Sequence, residues 1–243
     1  LSRKIHIGTS GWHYGHWKGN FYPADLPARK FLDYYAGRFR TAEINNTFYQ
    51  VPKKKTLEEW RDAVPDDFVF AVKASRFITH MKKLKDSGQP TKLFLKKVVR
   101  LKEKLGPILF QLPPRWRANP ERLENFLEVL PRGFRWAFEF RDPNWFRDDV
   151  YSLLEKHNAA FCIYDLNQRL SPKPVTADWI YVRLHGPDGA YQGKYDSRTL
   201  AGWAGAFSAW TAKGRTVFCY FDNDQNGYAA QDALLLLDML EKG

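Results

Sequence analysis

Eight short apolar runs recur along the chain, at 5–8, 41–45, 68–74, 108–112, 136–141, 160–165, 179–185 and 216–222. Each is followed by a polar or Gly/Pro turn, and most then lead into a stretch of helical period. The helical patterns occupy 29–39, 56–63, 92–104, 120–130, 148–157, 197–212 and 228–241. Strands that alternate with amphipathic helices specify a parallel sheet, because a parallel neighbour needs a crossover to carry the chain back to the same end. Eight such units in 243 residues, with no linker between them, predict a (β/α)₈ TIM barrel as one domain over 1–243. The weakest unit follows the sixth run, where LNQRLSPKPVTAD carries two prolines and no helical period.

The runs are apolar where they begin and polar where they end. Side chains on a strand alternate between faces. In the fifth run Trp136, Phe138 and Phe140 share the face that suits covering helices, which turns Glu139 and Arg141 inward. In the seventh, Ile180, Val182 and Leu184 face the helices while Tyr181, Arg183 and His185 face in. The same reading turns Glu43 and Asn45, Lys73, Gln111, and Tyr220 with Asp222 into the barrel, and the sixth run ends at Asp165. At least seven strands thus deliver polar groups to one end. Buried charge is expensive unless paired or used. The cluster is therefore either an ion-pair plug or a site, and barrel enzymes keep their sites at this end.

Composition narrows the partners. The net charge is +11, and residues 51–105 hold 15 Lys and Arg against 7 Asp and Glu, most of that excess. A concentrated basic zone favours an anionic partner. Two cysteines, Cys162 and Cys219, each sit inside an apolar run, and no CxxC pair or disulfide framework exists. That usage, the absence of a long apolar span and the lack of a signal-like stretch in LSRKIHIG predict a cytoplasmic protein with no membrane association. No HExxH, Cys/His ligand spacing, GxGxxG or Walker loop is present, so neither a metal nor a cofactor is expected.

Seven motifs follow one another. They are GTSGWHYGHWKGNFYP (8–23), EINNTFYQVP (43–52), FAVKASRFITH (70–80), KLGPILFQLPP (104–114), FEFRDPNWF (138–146), YVRLHG (181–186) and YFDND (220–224). In this order, from about residue 5 onward, the sequence resembles the YecE-like family, domain-of-unknown-function family 72. The resemblance implies a (β/α)₈ barrel with a pocket; it implies no reaction. The residues carry readings of their own. Glycines and hydroxyls in GTSGW can let backbone close on an anion, with Ser10 a donor and Trp12 a stacking surface. The long basic loop after the third run carries His80, within reach of the mouth.

The leading functional reading is an enzyme, a hydrolase, lyase or isomerase, using acid–base chemistry on a small anionic or sugar-like ligand. Glu43 and Glu139 are the candidate proton-exchanging pair, with His185 assisting. Lys73, Arg141 and Arg183 would hold negative charge, and Asn45, Gln111, Tyr181 and Asp222 would orient the ligand. The alternative is a nucleic-acid-binding or processing protein, with the 51–105 zone on phosphates and Trp12, Trp17 or Trp145 stacked on bases. Oligomeric state is not legible.

Overall fold

A computed structural model describes residues 4–242. All eight expected runs contain a strand: β1 Ile5–Thr9, β2 Thr41–Ile44, β3 Val69–Lys73, β4 Leu105–Gln111, β5 Trp136–Glu139, β6 Ala160–Leu166, β8 Trp179–Leu184 and β9 Thr216–Phe221. They pair in parallel in the order β1-β9-β8-β6-β5-β4-β3-β2. The helices between them are α1 Phe31–Ala36, α2 Lys54–Asp62, α3 Gly88–Val98, α4 Pro120–Val129, α5 Asp148–Lys156, α6 Ser197–Ala212 and α7 Tyr228–Lys242. The result is a nearly closed TIM barrel. Among the described residues no helix is long and apolar enough to cross a membrane.

The ring closes between β1 and β2 by a device the sequence does not announce. A single parallel bridge joins Ser10 to Glu43 there, with the Gly11 N–H donating to the Glu43 carbonyl at 2.8 Å. One step earlier the Tyr35 hydroxyl, from α1, lies between the strands. It accepts from the Thr9 N–H at 2.9 Å and donates to the Thr41 carbonyl at 3.0 Å, standing in for a ladder bond. Gly8 permits this approach, since a Cβ there would fall 2.1 Å from the Thr41 oxygen.

Local chemistry explains the element ends. Asn119 caps α4 by accepting from the Arg122 N–H at 2.9 Å, and Pro120 at the first helical position has no N–H to leave unpaired. Asp196 caps α6 in the same way through the Thr199 N–H, at 2.6 Å. The segment after β6 forms no helix and instead contributes β7, Arg169–Leu170, antiparallel to β6. Asn167 and Gln168 make that turn with φ of 52° and 59°, the left-handed pair that suits a two-residue hairpin. The prolines then exclude a helix, and hydroxyls take over: Ser171 accepts from the Tyr164 N–H at 3.0 Å, and Thr176 from the Phe161 N–H at 2.8 Å. The basic loop after β3 is more ordered than its composition suggests. It forms a π-helical turn, Phe77–Met81, and α3 begins at Gly88, four residues ahead of the expected start.

Strand alternation divides the core. Phe70, Phe110, Phe138, Ile163, Val182 and Phe221 point outward into one continuous core with the helices. Burying such side chains stabilises by roughly 1.5–3 kcal/mol each. Ala71, Leu109, Ala137, Cys162, Tyr181 and Phe218 point inward and fill the barrel as a separate apolar cluster. One pleat further along the same inward files come the charged Lys73, Glu139 and Arg183 and the polar Gln111, Tyr164 and Tyr220, with Asp222 one pleat beyond Tyr220.

Candidate active site

Arg183, on β8, is the hub of the mouth and is wholly buried. Its Nη1 donates to Glu139 Oε2 at 2.9 Å, and its Nη2 donates to Glu43 Oε1 at 2.8 Å and Asp222 Oδ2 at 2.9 Å. Ser10 Oγ lies 3.2 Å from Nη2. Four elements meet on one guanidinium because β2, β5, β8 and the end of β9 each turn a polar inward residue to this level. Burial pushes the guanidinium pKa down, but Glu43, Glu139 and Asp222 outweigh it and raise it well above its usual value. Arg183 Nε is buried with no acceptor, the one part of the fork left unsatisfied.

The two glutamates differ in their partners. Glu43 receives Ser10 Oγ at 2.5 Å and the Tyr181 hydroxyl at 2.6 Å besides Arg183, so both of its oxygens are engaged. Glu139 is clamped between Arg183 and Arg141, whose Nε donates to Oε1. Burial pushes the Glu139 carboxyl up, yet Arg141 and then Arg183 overcome it and hold it far below the usual range. Cys162 Sγ lies 3.8 Å from Glu139 Oε2, and burial, then this carboxylate, raises its thiol pKa.

His185 is buried and kept neutral. Burial first, then Arg183 and Arg141, push its pKa well below 6.5. Arg141 Nη2 reaches His185 Nε2 at 3.1 Å; a guanidinium can only donate, so the lone pair is on Nε2 and the proton on Nδ1. Nδ1 stands 3.0 Å from Asp222 Oδ2, though without the alignment of a hydrogen bond. Burial raises the Asp222 carboxyl despite Arg183 beside it. A strap formed by the next loop passes over the ring: the Tyr191 N–H donates to the His185 carbonyl at 2.7 Å. Gly186 allows it at φ 108°, since a Cβ there would meet the Gln192 oxygen at 2.0 Å.

Lys73 stands apart from this network. It is only 8% exposed. Its Nζ lies 4.4 Å over the Phe48 ring and makes no ion pair or hydrogen bond with the described residues. Burial, then Arg183, bring its pKa down to about 8. The Asn45 and Gln111 side chains are half-buried and likewise lack a hydrogen-bond partner among the described residues. Asn45 lines a cleft of about 260 Å³ with His13, Tyr14 and Trp60, at the corner where β1 and β2 end.

The structure thus brings together Ser10, Glu43, Glu139, Arg141, Tyr181, Arg183, His185 and Asp222. Three expectations fail. Asp165 faces outward, where it accepts from the Tyr195 hydroxyl at 3.1 Å, because Cys162 occupies the inward file and fixes the strand's phase. Trp12 offers no open ring: it is 1% exposed and packed on Trp60 and Phe70. Trp17 and Trp145 are fully buried as well, anchored by indole N–H bonds to the carbonyls of Asp224 and Trp116. The three indoles named for base stacking are therefore structural. His80 sits edge-on to Phe48 at 5.0 Å, beside Lys73, and burial takes its pKa down to about 4.

Sequence reasoning missed Tyr164 and Phe48. Tyr164 follows Cys162 by one pleat, so the correct phase of β6 would have found it; Arg141 lies 5.2 Å over its ring. Phe48 lies in a 3-10 turn after β2 and carried no signal. Among the described residues no group of three or more His, Cys, Asp and Glu is arranged to hold a metal, since each carboxylate of the cluster is turned onto a guanidinium.

The family described as "Protein of unknown function DUF72" matches residues 6–243. The Bacillus subtilis protein YunF is 25% identical, over 98% of this chain and 95% of its own length. Escherichia coli YecE is 32% identical over 47% of this chain and 43% of its own length. The crystal structure of a DUF72 family protein from Thermotoga maritima superposes with a TM-score of 0.88 at 29% identity, covering 98% of this chain and 99% of that one.

Proposed function

The chain belongs to the DUF72 family, and from that premise we propose that it is an enzyme acting on a small anionic substrate, carrying phosphate or carboxylate, at the C-terminal mouth of the barrel. The observation that carries this reading is a division of labour among the charges. Three buried carboxylates are consumed by Arg183, whereas Lys73 is left as a nearly buried amine with no ion pair among the described residues. A purely structural network would be expected to pair every charge it buries, because an unpaired one costs several kcal/mol.

Each residue then has a part. Lys73 and Arg141 receive the anion. As Arg141 turns to it, the Nε2 lone pair of His185 is released. That neutral imidazole, with Asp222 close to Nδ1, becomes the base. Glu43 and Glu139, read from sequence as a proton-exchanging pair, serve in this account to hold Arg183 and Arg141 in place, since their oxygens are taken and Glu139 is a weak base. Asn45 and Gln111 have free amides to orient the substrate. Two buried, unpaired thiols fit a reducing compartment such as the cytoplasm.

Thermal unfolding with added inorganic phosphate tests the reading. A ligand at a hundred times its Kd stabilises by about 2.7 kcal/mol. Phosphate or a simple sugar phosphate should raise the midpoint, an uncharged sugar should not, and Lys73→Met should abolish the response. No response to any phosphate or carboxylate compound would contradict it.

A further inference from the structure

We propose that Lys73 is a covalent catalytic residue: its amine condenses with the carbonyl of an aldehyde or keto substrate that carries a neighbouring phosphate or carboxylate. This rests on the anionic-substrate reading above and names the substrate class of that same site.

Geometry sets Lys73 apart from the other cations of the mouth. Arg141 and Arg183 are committed to Glu139, and Arg183 also to Glu43 and Asp222. No carboxylate lies within ion-pairing distance of Lys73 Nζ among the described residues. The contact its ammonium does make is with the face of Phe48, which tolerates either the ammonium or the neutral amine. A lysine meant only to grip an anion gains from a nearby carboxylate that keeps it charged. A lysine meant to attack a carbonyl must lose its proton near neutral pH. The groups that bear on it are Arg183, Glu139, Glu43 and Asp222 across the barrel, with His80 coupled to it from the loop after β3 and His185 from the end of β8. Their sum, together with burial, leaves the amine at about 8. At pH 7 roughly a tenth of it is then free base, against less than about a thousandth for an ordinary lysine.

The condensation balances without any further reagent. The Nζ lone pair attacks the carbonyl carbon, and the C=O π pair moves to oxygen. Two protons pass from nitrogen to that oxygen through solvent, the C–O bond breaks, and water leaves as the C=N bond forms. The substrate's anion stays on Arg141.

Glyoxylate, a small aldehyde carrying a carboxylate, is the probe. The intact protein is incubated with glyoxylate and cyanoborohydride, which delivers hydride to the imine carbon and fixes the adduct as a secondary amine. Peptide mapping then gives the rate at each lysine, and phosphate stabilisation is measured in parallel. Lys73 should be labelled at least about tenfold faster at pH 7 than the exposed Lys53, Lys54 and Lys55. Its rate should rise with pH through a midpoint near 8, and phosphate should slow it. If only exposed lysines react while phosphate still stabilises the protein, the covalent role is overturned and the anion site stands. If neither labelling of Lys73 nor stabilisation is seen, both readings fall.

Discussion

Two layers of the barrel interior lie one pleat apart on the same strands. In the lower layer Ala71, Leu109, Ala137 and Phe218 close the barrel with apolar volume. In the upper one Lys73, Gln111, Glu139 and Arg183 occupy the next inward positions of those or adjoining strands, and Asp222 follows one pleat beyond Tyr220. The lower layer is held by packing and responds to any loss of volume. The upper layer is held by pairing, and it is uneven: Arg183 is locked to three carboxylates while Lys73 is spare. A barrel can therefore be stabilised by one member of a charged layer and burdened by another.

Removing the hub should have the largest effect. Arg183→Met leaves Glu43 and Glu139 buried without their shared cation, and unfolding free energy should fall by about 3–5 kcal/mol. Denaturant titration checks this; a loss under about 1 kcal/mol would mean the upper layer is not held by pairing. In the lower layer Leu109→Ala should cost roughly 2–4 kcal/mol as a cavity while leaving phosphate stabilisation intact. Loss of that stabilisation would show the two layers to be one unit.

The pH dependence gives a finer comparison. His185 has a folded pKa well below 6.5, so the unfolded chain binds a proton that the folded one refuses. Its contribution is therefore full above about 6.5 and is lost as pH falls below it. Glu139 is depressed below 4.5 and adds a second loss as pH falls below that value, because the unfolded chain takes up a proton that the arginine-bound carboxylate of the folded chain refuses. His6, His13 and His80 are also lowered and share the upper window. His185→Gln should thus remove one proton from the slope between pH 6.5 and 5, up to about 1.4 kcal/mol per pH unit. Stability measured across that range with an unchanged slope would show that His185 is not held neutral.

The two layers were not equally legible in the sequence. Alternation is enough to orient 136–141 and 179–185, because bulky residues mark the helix-facing side, and Glu139, Arg141, Arg183 and His185 follow from it. In 160–165 both faces are apolar, so alternation leaves the phase ambiguous: the run reads as ending at Asp165, whereas the inward residue is Tyr164. The indoles of Trp12, Trp17 and Trp145 read as a stacking surface because composition records ring area, not whether a loop folds it inward. Pairing was beyond reach. Which arginine takes which carboxylate depends on distances across the barrel, between residues up to 140 positions apart. The spare lysine becomes visible only once the other charges have been assigned.

On the proposed reading Lys73 is kept nearly buried, with no ion pair among the described residues, at a cost to stability. The most direct test is the unfolding midpoint of Lys73→Met against wild type, in buffer at pH 7 without phosphate or other anions. Methionine keeps the stem's volume and removes the charge, so the midpoint should rise by about 2–4 °C, corresponding to about 1 kcal/mol. A fall of the same size would mean that Lys73 is a structural member of the network, and would contradict the division between a locked hub and a free amine.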